Sequence, residues 1–176
     1  MPTDFAPPSH APLIRLLDAA FTEFEAELSR RLSTTAYADI RPAHGCVFGH
    51  IDPNGSRLTD LADRAHMTKQ SVGEVTTDLE QRGYVERVPD PSDGRAKIIR
   101  LTARGREAQA LGWDLINEIE REWAERFGAE RIAALRETLE ALTAERLGAI
   151  AGRLPRLSRR RDSLEPQRKQ EAAPQR

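Results

Sequence analysis

The polar run Thr68-Lys-Gln-Ser71 carries side chains that can bond the edges of nucleic-acid bases. Gln bonds adenine at two atoms, Lys reaches guanine acceptors or a phosphate, and Ser and Thr bond either kind of group. The run stands where an amphipathic helix is predicted to begin, and backbone N–H groups in the first turn of a helix also favour a phosphate. The alternative is that Lys69 and Gln70 only solvate a surface helix.

Basic residues recur in the hairpin that is predicted to follow this helix. Arg95 stands beside Asp93 in the long polar tip Pro89-Asp-Pro-Ser-Asp-Gly94, and Lys97 lies on the returning strand. An Arg on an exposed two-stranded wing suits a narrow minor groove, where the potential is strongly negative, while Lys97 suits the phosphate backbone. The alternative is an ordinary hairpin in which Arg95 pairs with Asp93.

The spacing of apolar residues predicts the elements that would position these groups. Thr59 and Thr68 are the predicted N-caps of two consecutive helices, and Thr102 is that of a long helix ending at Gly128. The predicted helices cover a stretch of about 20 residues from residue 13, then 42–51, 58–65, 69–82, 103–127 and a last helix, with strands at 84–88 and 97–101. A short helix, a tight turn, a second helix and a β-hairpin in this order predict a mainly α fold with a small β-wing (α+β class), a winged helix-turn-helix.

Length, charge and cysteine content exclude several classes of protein. The chain has 176 residues, with 27 Lys and Arg against 28 Asp and Glu, and one cysteine. A single cysteine cannot form an internal disulfide, no apolar run reaches the roughly 18 to 20 residues of a membrane span, and the start lacks a signal peptide. We expect a cytoplasmic protein with no membrane partner. The charge is uneven, because residues 57–106 carry 10 basic and 8 acidic residues whereas residues 107–152 carry 5 and 10.

The sequence contains no motif of a catalytic site. A phosphate-cradling glycine loop, a nucleophile elbow and a metal signature are all missing, and the carboxylates are spaced as charges on helix surfaces. His44 and His50 are six residues apart, which is a poor helical spacing for sharing a metal. We expect no enzyme activity, no cofactor and no metal site.

Residues 57–102 resemble the DNA-binding domain of the multiple-antibiotic-resistance regulator (MarR) family, which are bacterial transcription regulators that act as dimers. The resemblance extends over about residues 12–152. The matching segments are Leu58-Thr-Asp-Leu-Ala62, Met67-Thr-Lys-Gln-Ser-Val72, Leu79-Glu-Gln-Arg-Gly-Tyr-Val85, Asp90-Pro-Ser-Asp-Gly-Arg-Ala-Lys97 and Leu101-Thr-Ala-Arg-Gly105.

The resemblance implies a division of the chain. Residues 12–154 would form one MarR-type domain, with a DNA-binding lobe at about 55–102 and dimerisation helices at about 12–35 and 103–152. The ends, 1–11 and the basic tail 155–176, are rich in proline and polar residues and are predicted to be disordered. The long helices carry more apolar positions than a thin winged domain can cover, which also favours a homodimer.

The resemblance further implies a dimeric, sequence-specific regulator acting as a repressor on a near-palindromic operator in double-stranded DNA. The recognition helix 69–82 would enter the major groove and the wing 89–97 the minor groove. The candidate DNA-binding residues are Arg57, Thr68, Lys69, Gln70, Ser71, Gly73, Thr77, Arg95 and Lys97. Gly73 is included because the lack of a side chain lets the helix approach bases closely. The alternative is a winged-helix protein-interaction module without DNA binding.

Two features qualify this implied site. Many relatives carry a basic residue where this chain has Glu74, which cannot hold a phosphate but could accept a bond from cytosine N4 or turn back toward its own helix. Relatives also commonly respond to a small aromatic or phenolic effector, and His44, Cys46 and His50 are the candidates for binding it here. A structural role for Cys46 in close packing competes with ligand binding or oxidation.

Overall fold

The computed structural model of the protein describes residues 10–151, with side chains described for residues 10–144. Over that range the predicted mainly α fold with a small β-wing is confirmed. The elements are α1 (Leu13–Leu32), a 3-10 turn (Pro42–His44), α2 (Gly45–Phe48), β1 (Ser56–Arg57), α3 (Leu58–Ala65), α4 (Lys69–Gln81), β2 (Val85–Asp90), β3 (Asp93–Leu101), α5 (Ala103–Phe127) and α6 (Ala129–Ala151). None of the helices in the described range is long and apolar enough to cross a membrane.

The turn between α3 and α4 sets the direction of the second helix. His66 ends α3 in the left-handed region (φ 52, ψ 37), a conformation that few non-glycine residues adopt. Two residues later, Thr68 caps α4 by accepting the Ser71 N–H at 3.1 Å, as its residue type predicts. The predicted cap at Thr59 is wrong, because α3 begins one residue earlier and Arg57 takes the N-cap position without a side-chain bond.

A buried core joins these helices to the sheet. The fully enclosed side chains of the lobe include Leu61 of α3, Val72 and Leu79 of α4, and Tyr84, which leads into β2. Burial of aliphatic and aromatic groups of this size is worth ~1.5–3 kcal/mol each. The core therefore holds α4 by one face and leaves its opposite face to solvent.

The sheet has three antiparallel strands in the order β1-β3-β2, with Ser56 opposite Ile99 and Val85 opposite Leu101. The regular ladder runs to the pair Pro89 and Lys97, where the predicted polar tip begins and the predicted returning strand starts. After a register shift between Pro89 and Asp90, one further pair, Asp90 and Asp93, narrows the tip to a two-residue turn, which was not predicted. The Asp90 carboxylate accepts the Ser92 N–H at 2.8 Å and its hydroxyl at 2.7 Å, which stabilises this tight turn. The two-residue strand β1 was not predicted, since so short a run has no detectable period.

The predicted helix at 42–51 is also wrong in extent. The chain forms a 3-10 turn and then only one α-helical turn, which ends before Gly49. The Arg41 N–H bonds the His44 ring at 3.1 Å, which holds the tight 3-10 geometry at the start of this segment.

Helices α1 and α5 pack together outside the lobe. Phe24 and Trp123 meet edge to face at 5.3 Å, and the Arg31 guanidinium bonds Glu122 at 2.6 Å. At its start α5 is held against the lobe, because a Cβ on Gly105 would lie 2.0 Å from the Tyr84 carbonyl oxygen. The long helices are thus fixed to the lobe at one end. Of the segments predicted to be disordered, residues 1–9 and 155–176 lie outside the described residues.

Candidate nucleic-acid interface

Helix α4 has one buried and one exposed face. Val72, Thr76 and Leu79 are buried. The opposite face, which we call the outer stripe, follows the three- and four-residue spacing of one helix side and consists of Gln70, Gly73, Glu74, Thr77 and Gln81. The outer stripe, together with the exposed Lys69 at the helix start, is therefore available to a ligand as large as a duplex.

The start of α4 projects polar groups from the lobe. Thr68, Lys69 and Gln70 are exposed, and Ser71 is half-buried beside them. The Thr68 and Ser71 hydroxyl oxygens lie 2.8 Å apart, so these two side chains hold each other, and Lys69 beside them is exposed. The four residues of the predicted base-contacting run therefore lie together at one helix terminus.

The middle of the outer stripe is occupied by contacts within the protein. The Gln70 amide donates to the Glu74 carboxylate at 3.1 Å, and the Thr77 hydroxyl donates to the Gly73 carbonyl at 2.8 Å. Arg87 of β2 reaches the same groove, where it bonds Glu80 and donates to the Thr77 hydroxyl at 3.1 Å. Sequence reasoning missed Arg87, because only the register of β2 beside α4 brings this basic residue to the groove.

The wing presents Arg95 and Lys97 to solvent. Asp93 accepts the backbone N–H of Arg95 at 3.1 Å, and within the described residues its carboxylate forms no ion pair with the Arg95 guanidinium. The alternative prediction of an Arg95–Asp93 pair is therefore wrong. The Asp93 carboxylate lies instead 3.8 Å from Arg57.

Arg57 holds the strands of the wing together through an ion pair. Its guanidinium bonds the buried Asp90 carboxylate at 2.7 and 2.6 Å, and so ties β1 to the turn between β2 and β3. Bonds from Ser92 and from Arg57 lower the pKa of Asp90 from 3.8 to about 2. Arg57 was predicted as a DNA contact, and the structure shows its charge already paired inside the wing.

Ion pairing separates the basic residues of 57–106 into two groups. Of the ten, six are in ion pairs with carboxylates of the described chain: Arg57, Arg64, Arg82, Arg87, Arg100 and Arg104. Lys69, Arg95 and Lys97 form no such pair among the residues that the structure describes, and Arg106 bonds the Leu101 carbonyl at 2.8 Å. Four cations of this stretch are thus without a carboxylate partner in the described chain: Lys69 at the start of α4, Arg95 and Lys97 on the wing, and Arg106 in the first turn of α5.

The three candidate effector residues lie on the segment from the 3-10 turn to the end of α2. His44 is buried, with Nδ1 accepting the Arg41 N–H and Nε2 donating to Asp78 of α4 at 2.8 Å. Burial lowers the pKa of His44 and of His50, and it raises the pKa of the half-buried Cys46 thiol. Within the described range, no three His, Cys, Asp or Glu residues are placed to hold a metal ion.

An apolar cavity of about 170 Å³ lies between the lobe and the long helices. Its wall comes from α1, α5 and the segment 40–49, and includes Leu28, Leu32, Ile40, Arg41, Phe48, Ala108, Gly112, Trp113 and Ile116. His44, Cys46 and His50 are not among the wall residues. Arg41 connects the wall to α4, because its guanidinium bonds Asp78 at 2.7 Å.

Asp78 is held by three cations or donors. Besides Arg41 and His44, Arg82 of the same helix approaches its carboxylate at 3.0 Å. Hydrogen bonds from Arg82 and His44, together with the nearby charge of Arg41, lower the pKa of Asp78 from 3.8 to about 2. The carboxylate is therefore ionised near neutral pH and links α4 to the cavity wall.

Comparisons with known proteins agree with this geometry. Residues 38–96 match the family model described as the MarR family. The exopolysaccharide II synthesis transcriptional activator ExpG of Rhizobium meliloti (strain 1021) is 27% identical over 95 residues, covering 54% of this chain and 49% of ExpG. The transcriptional regulator HosA of Escherichia coli O111:H- is 28% identical over 90 residues, covering 51% of this chain and 67% of HosA. The match thus spans about half the length of ExpG and about two thirds of the length of HosA.

A solved structure shares the fold over most of the chain. The transcriptional repressor CouR bound to a 23-mer DNA duplex superposes with a TM-score of 0.64 at 24% sequence identity. The superposition covers 75% of this chain and 92% of CouR. The likeness establishes a common architecture.

The Asp90–Arg57 pair generates a prediction about stability against pH. Because the folded pKa of Asp90 lies below its ordinary value of 3.8, ionised Asp90 stabilises the wing above about pH 4, and this contribution is lost as the pH falls toward about 2. We expect Asp90→Asn to lower the free energy of unfolding near neutral pH, with the difference from wild type shrinking between pH 4 and pH 2 in urea denaturation. Asp93→Asn, farther from Arg57, is the matched control with a smaller difference. A difference for Asp90→Asn that stays constant to pH 2 would contradict the ionic role of this pair.

Proposed function

We propose that the protein is a MarR-type transcriptional regulator that binds double-stranded DNA through α4 and the wing, and the match of residues 38–96 to the MarR family model supports this proposal. The observation that carries the proposal is the distribution of free charge. Six of the ten basic residues in 57–106 are neutralised within the described lobe, whereas Lys69, Arg95 and Lys97 remain unpaired and exposed on the two elements that a winged helix offers to DNA. The one other cation of this stretch without a carboxylate partner, Arg106, bonds the Leu101 carbonyl, so three of the four cations without an ion pair lie on the two elements and favour a polyanion there.

The proposed roles follow from the chemistry of each tip. Helix α4 enters the major groove, where Lys69 and Gln70 contact bases and the capped N-terminus with Thr68 and Ser71 contacts a phosphate. Arg95 enters the flanking minor groove, and Lys97 contacts the backbone. Gly73 leaves room for close approach, and Thr77 lies on the same stripe with its hydroxyl donating within the helix. Arg57 acts on DNA through the wing that it holds.

We propose that the regulator is a homodimer. On α1 the side chains of Leu13, Ile14, Leu16 and Phe21 are each more than half exposed, and Leu142 of α6 is 69% exposed. Contiguous apolar side chains on two long helices favour burial against a second copy, since single exposed apolar residues are common but rows of them are not. A two-fold dimer would present its recognition helices about 34 Å apart and read a near-palindromic site.

The direction of control that we propose is repression. A dimer seated across one turn of DNA covers the duplex against other proteins, which is the simplest outcome of the proposed geometry. The relatives' names include both an activator, ExpG, and a repressor, CouR. The competing function, a protein-interaction module that has lost DNA binding, has the carboxylate of Glu74 on the outer stripe in its favour.

We also propose that a small aromatic effector binds the apolar cavity. Its volume of about 170 Å³ is close to the ~150 Å³ of an engineered cavity that accepts benzene, so one ring fits. A phenolic or carboxylate group on the ring would face Arg41, whose guanidinium also bonds Asp78 of α4. Competition for Arg41 would weaken one of the contacts that hold the recognition helix, and so lower DNA affinity. In this proposal His44, Cys46 and His50 support the wall instead of contacting the ligand.

The DNA contacts are tested with duplexes selected from a random pool. We expect Lys69→Ala and Gln70→Ala to relax sequence preference, since a good base contact discriminates by ~1–3 kcal/mol. Arg95→Ala should weaken binding mainly where the flanks are A/T-rich. Arg100→Ala is the matched control, because Arg100 lies on the same strand as Arg95 but is paired with Glu86 at 2.8 Å. Binding is measured by fluorescence anisotropy at fixed salt.

Two outcomes would reject these assignments. Selection that returns no preferred duplex for the wild-type chain would favour the interaction module. Equal binding by wild type and the variants of Lys69, Gln70 and Arg95 would leave the DNA-binding function intact but show that other residues contact the two grooves.

The effector site is tested by filling the cavity. Gly112 lines the cavity, and a Cβ added there meets no atom within 4 Å, so Gly112→Leu places its side chain in the ligand space. We expect benzoate and phenol to quench the fluorescence of the wall residue Trp113 and release DNA in wild type. The filled variant should bind both probes roughly 10- to 150-fold more weakly, since burying one ring is worth ~1.5–3 kcal/mol. Ala110→Leu, exposed on the same helix, is the control, and equal loss in both variants would contradict this site.

A further inference from the structure

The outer stripe of α4 carries a carboxylate at its centre. Glu74 lies one turn beyond Gln70 and about one turn before Thr77, and it is exposed. Any docking of this face into a groove therefore places the Glu74 carboxylate among bases and close to phosphates. A negative charge in that position is unfavourable unless a donor on the DNA bonds it.

No cation of the described chain neutralises Glu74. Arg87 is the basic residue that lines the same groove, and its guanidinium is engaged by Glu80 and by the Thr77 hydroxyl. The polar partner of Glu74 is Gln70, whose amide nitrogen donates to one carboxylate oxygen at 3.1 Å. This bond positions the carboxylate along the stripe without removing its charge.

The bond also determines what the pair presents outward. A carboxylate is an acceptor only, and the Gln70 amide, after donating one N–H to it, keeps one N–H and its carbonyl oxygen. At Glu74 itself the stripe therefore presents acceptors alone, while the donors Gln70 and Lys69 lie nearer the helix start. Such a surface complements base edges that offer an N–H and is opposed by base edges that offer oxygen or ring nitrogen.

We propose that Glu74, positioned by Gln70, is a specificity-determining residue that accepts a hydrogen bond from the N4 amino group of a cytosine in each half-site. In the major groove cytosine presents a donor alone, guanine presents N7 and O6, thymine presents O4, and adenine sets N7 beside its amino group. A carboxylate therefore favours cytosine over the other three bases. The inference rests on the proposed DNA-binding function and adds to it the base that the centre of α4 reads.

The test uses the duplex selected by wild type and every single base-pair change within its half-sites. We expect one position at which cytosine is preferred by roughly 5- to 150-fold and at which Glu74→Ala binds all four bases about equally. Glu74→Gln keeps the side-chain length and gains a donor, so its preference should move to adenine, which a Gln amide bonds at two atoms. Gln81→Ala, at the end of the same stripe, is the matched control and should keep the cytosine preference.

The outcomes distinguish failure of this inference from failure of the proposed function. If wild type selects a duplex and Glu74→Ala tightens binding to every base pair by the same factor with the preferences unchanged, Glu74 only repels DNA and the inference is wrong. The same conclusion follows if Glu74→Gln reads the same bases as wild type. If wild type selects no duplex, the DNA-binding function fails together with the inference. Circular dichroism of each variant checks that α4 is intact.

Discussion

The Asp78 carboxylate fixes the position of α4 together with the turn at His66 and the buried core. It accepts a hydrogen bond from the His44 ring at 2.8 Å and one from the Arg41 guanidinium at 2.7 Å. Both donors belong to the segment that joins α1 to α2. A carboxylate held by several donors stays ionised, so its bonds are charge-assisted and stronger than neutral ones. The core holds the inner face of α4 by burial, but burial alone is non-directional. The contacts of Asp78 add direction, and they connect the recognition helix to residues that line the apolar cavity.

The pairing of most charges within the protein explains how a nearly neutral chain can have a site for a polyanion. With 27 basic and 28 acidic residues, the whole chain offers no attraction to nucleic acid by its sum. Ion pairs within the lobe neutralise most of its arginines, and Arg57 with Asp90 uses such a pair to fix the wing. Lys69, Arg95 and Lys97 are left without a carboxylate or carbonyl partner among the described residues, whereas Arg106 bonds a backbone carbonyl. DNA binding therefore depends on the positions of the unpaired cations and on contacts with bases. We expect base contacts to contribute more to the binding free energy than overall electrostatic attraction.

The sequence predicted the elements better than it predicted the partners of their side chains. Helix α4, its Thr68 cap and the long α5 follow from apolar spacing and capping residues, which act over a few positions along the chain. The tight wing turn and the short α2 were missed because the Asp90 turn and the break at Gly49 leave no periodic pattern. Arg57 and Asp90 are 33 residues apart, and His44 and Asp78 are 34 apart, so their pairing depends on tertiary structure that residue types do not reveal. The cavity wall was out of reach for the same reason, since it combines α1, α5 and the segment 40–49.

We propose above that two copies of this chain bind one duplex through α4 and the wing. Sedimentation equilibrium of the chain mixed with its selected duplex measures the stoichiometry directly. We expect a dimer in the absence of DNA at micromolar concentration and two chains per duplex in the complex. A monomer that binds the duplex tightly, or a dimer that sediments without it, would contradict binding by a two-fold dimer.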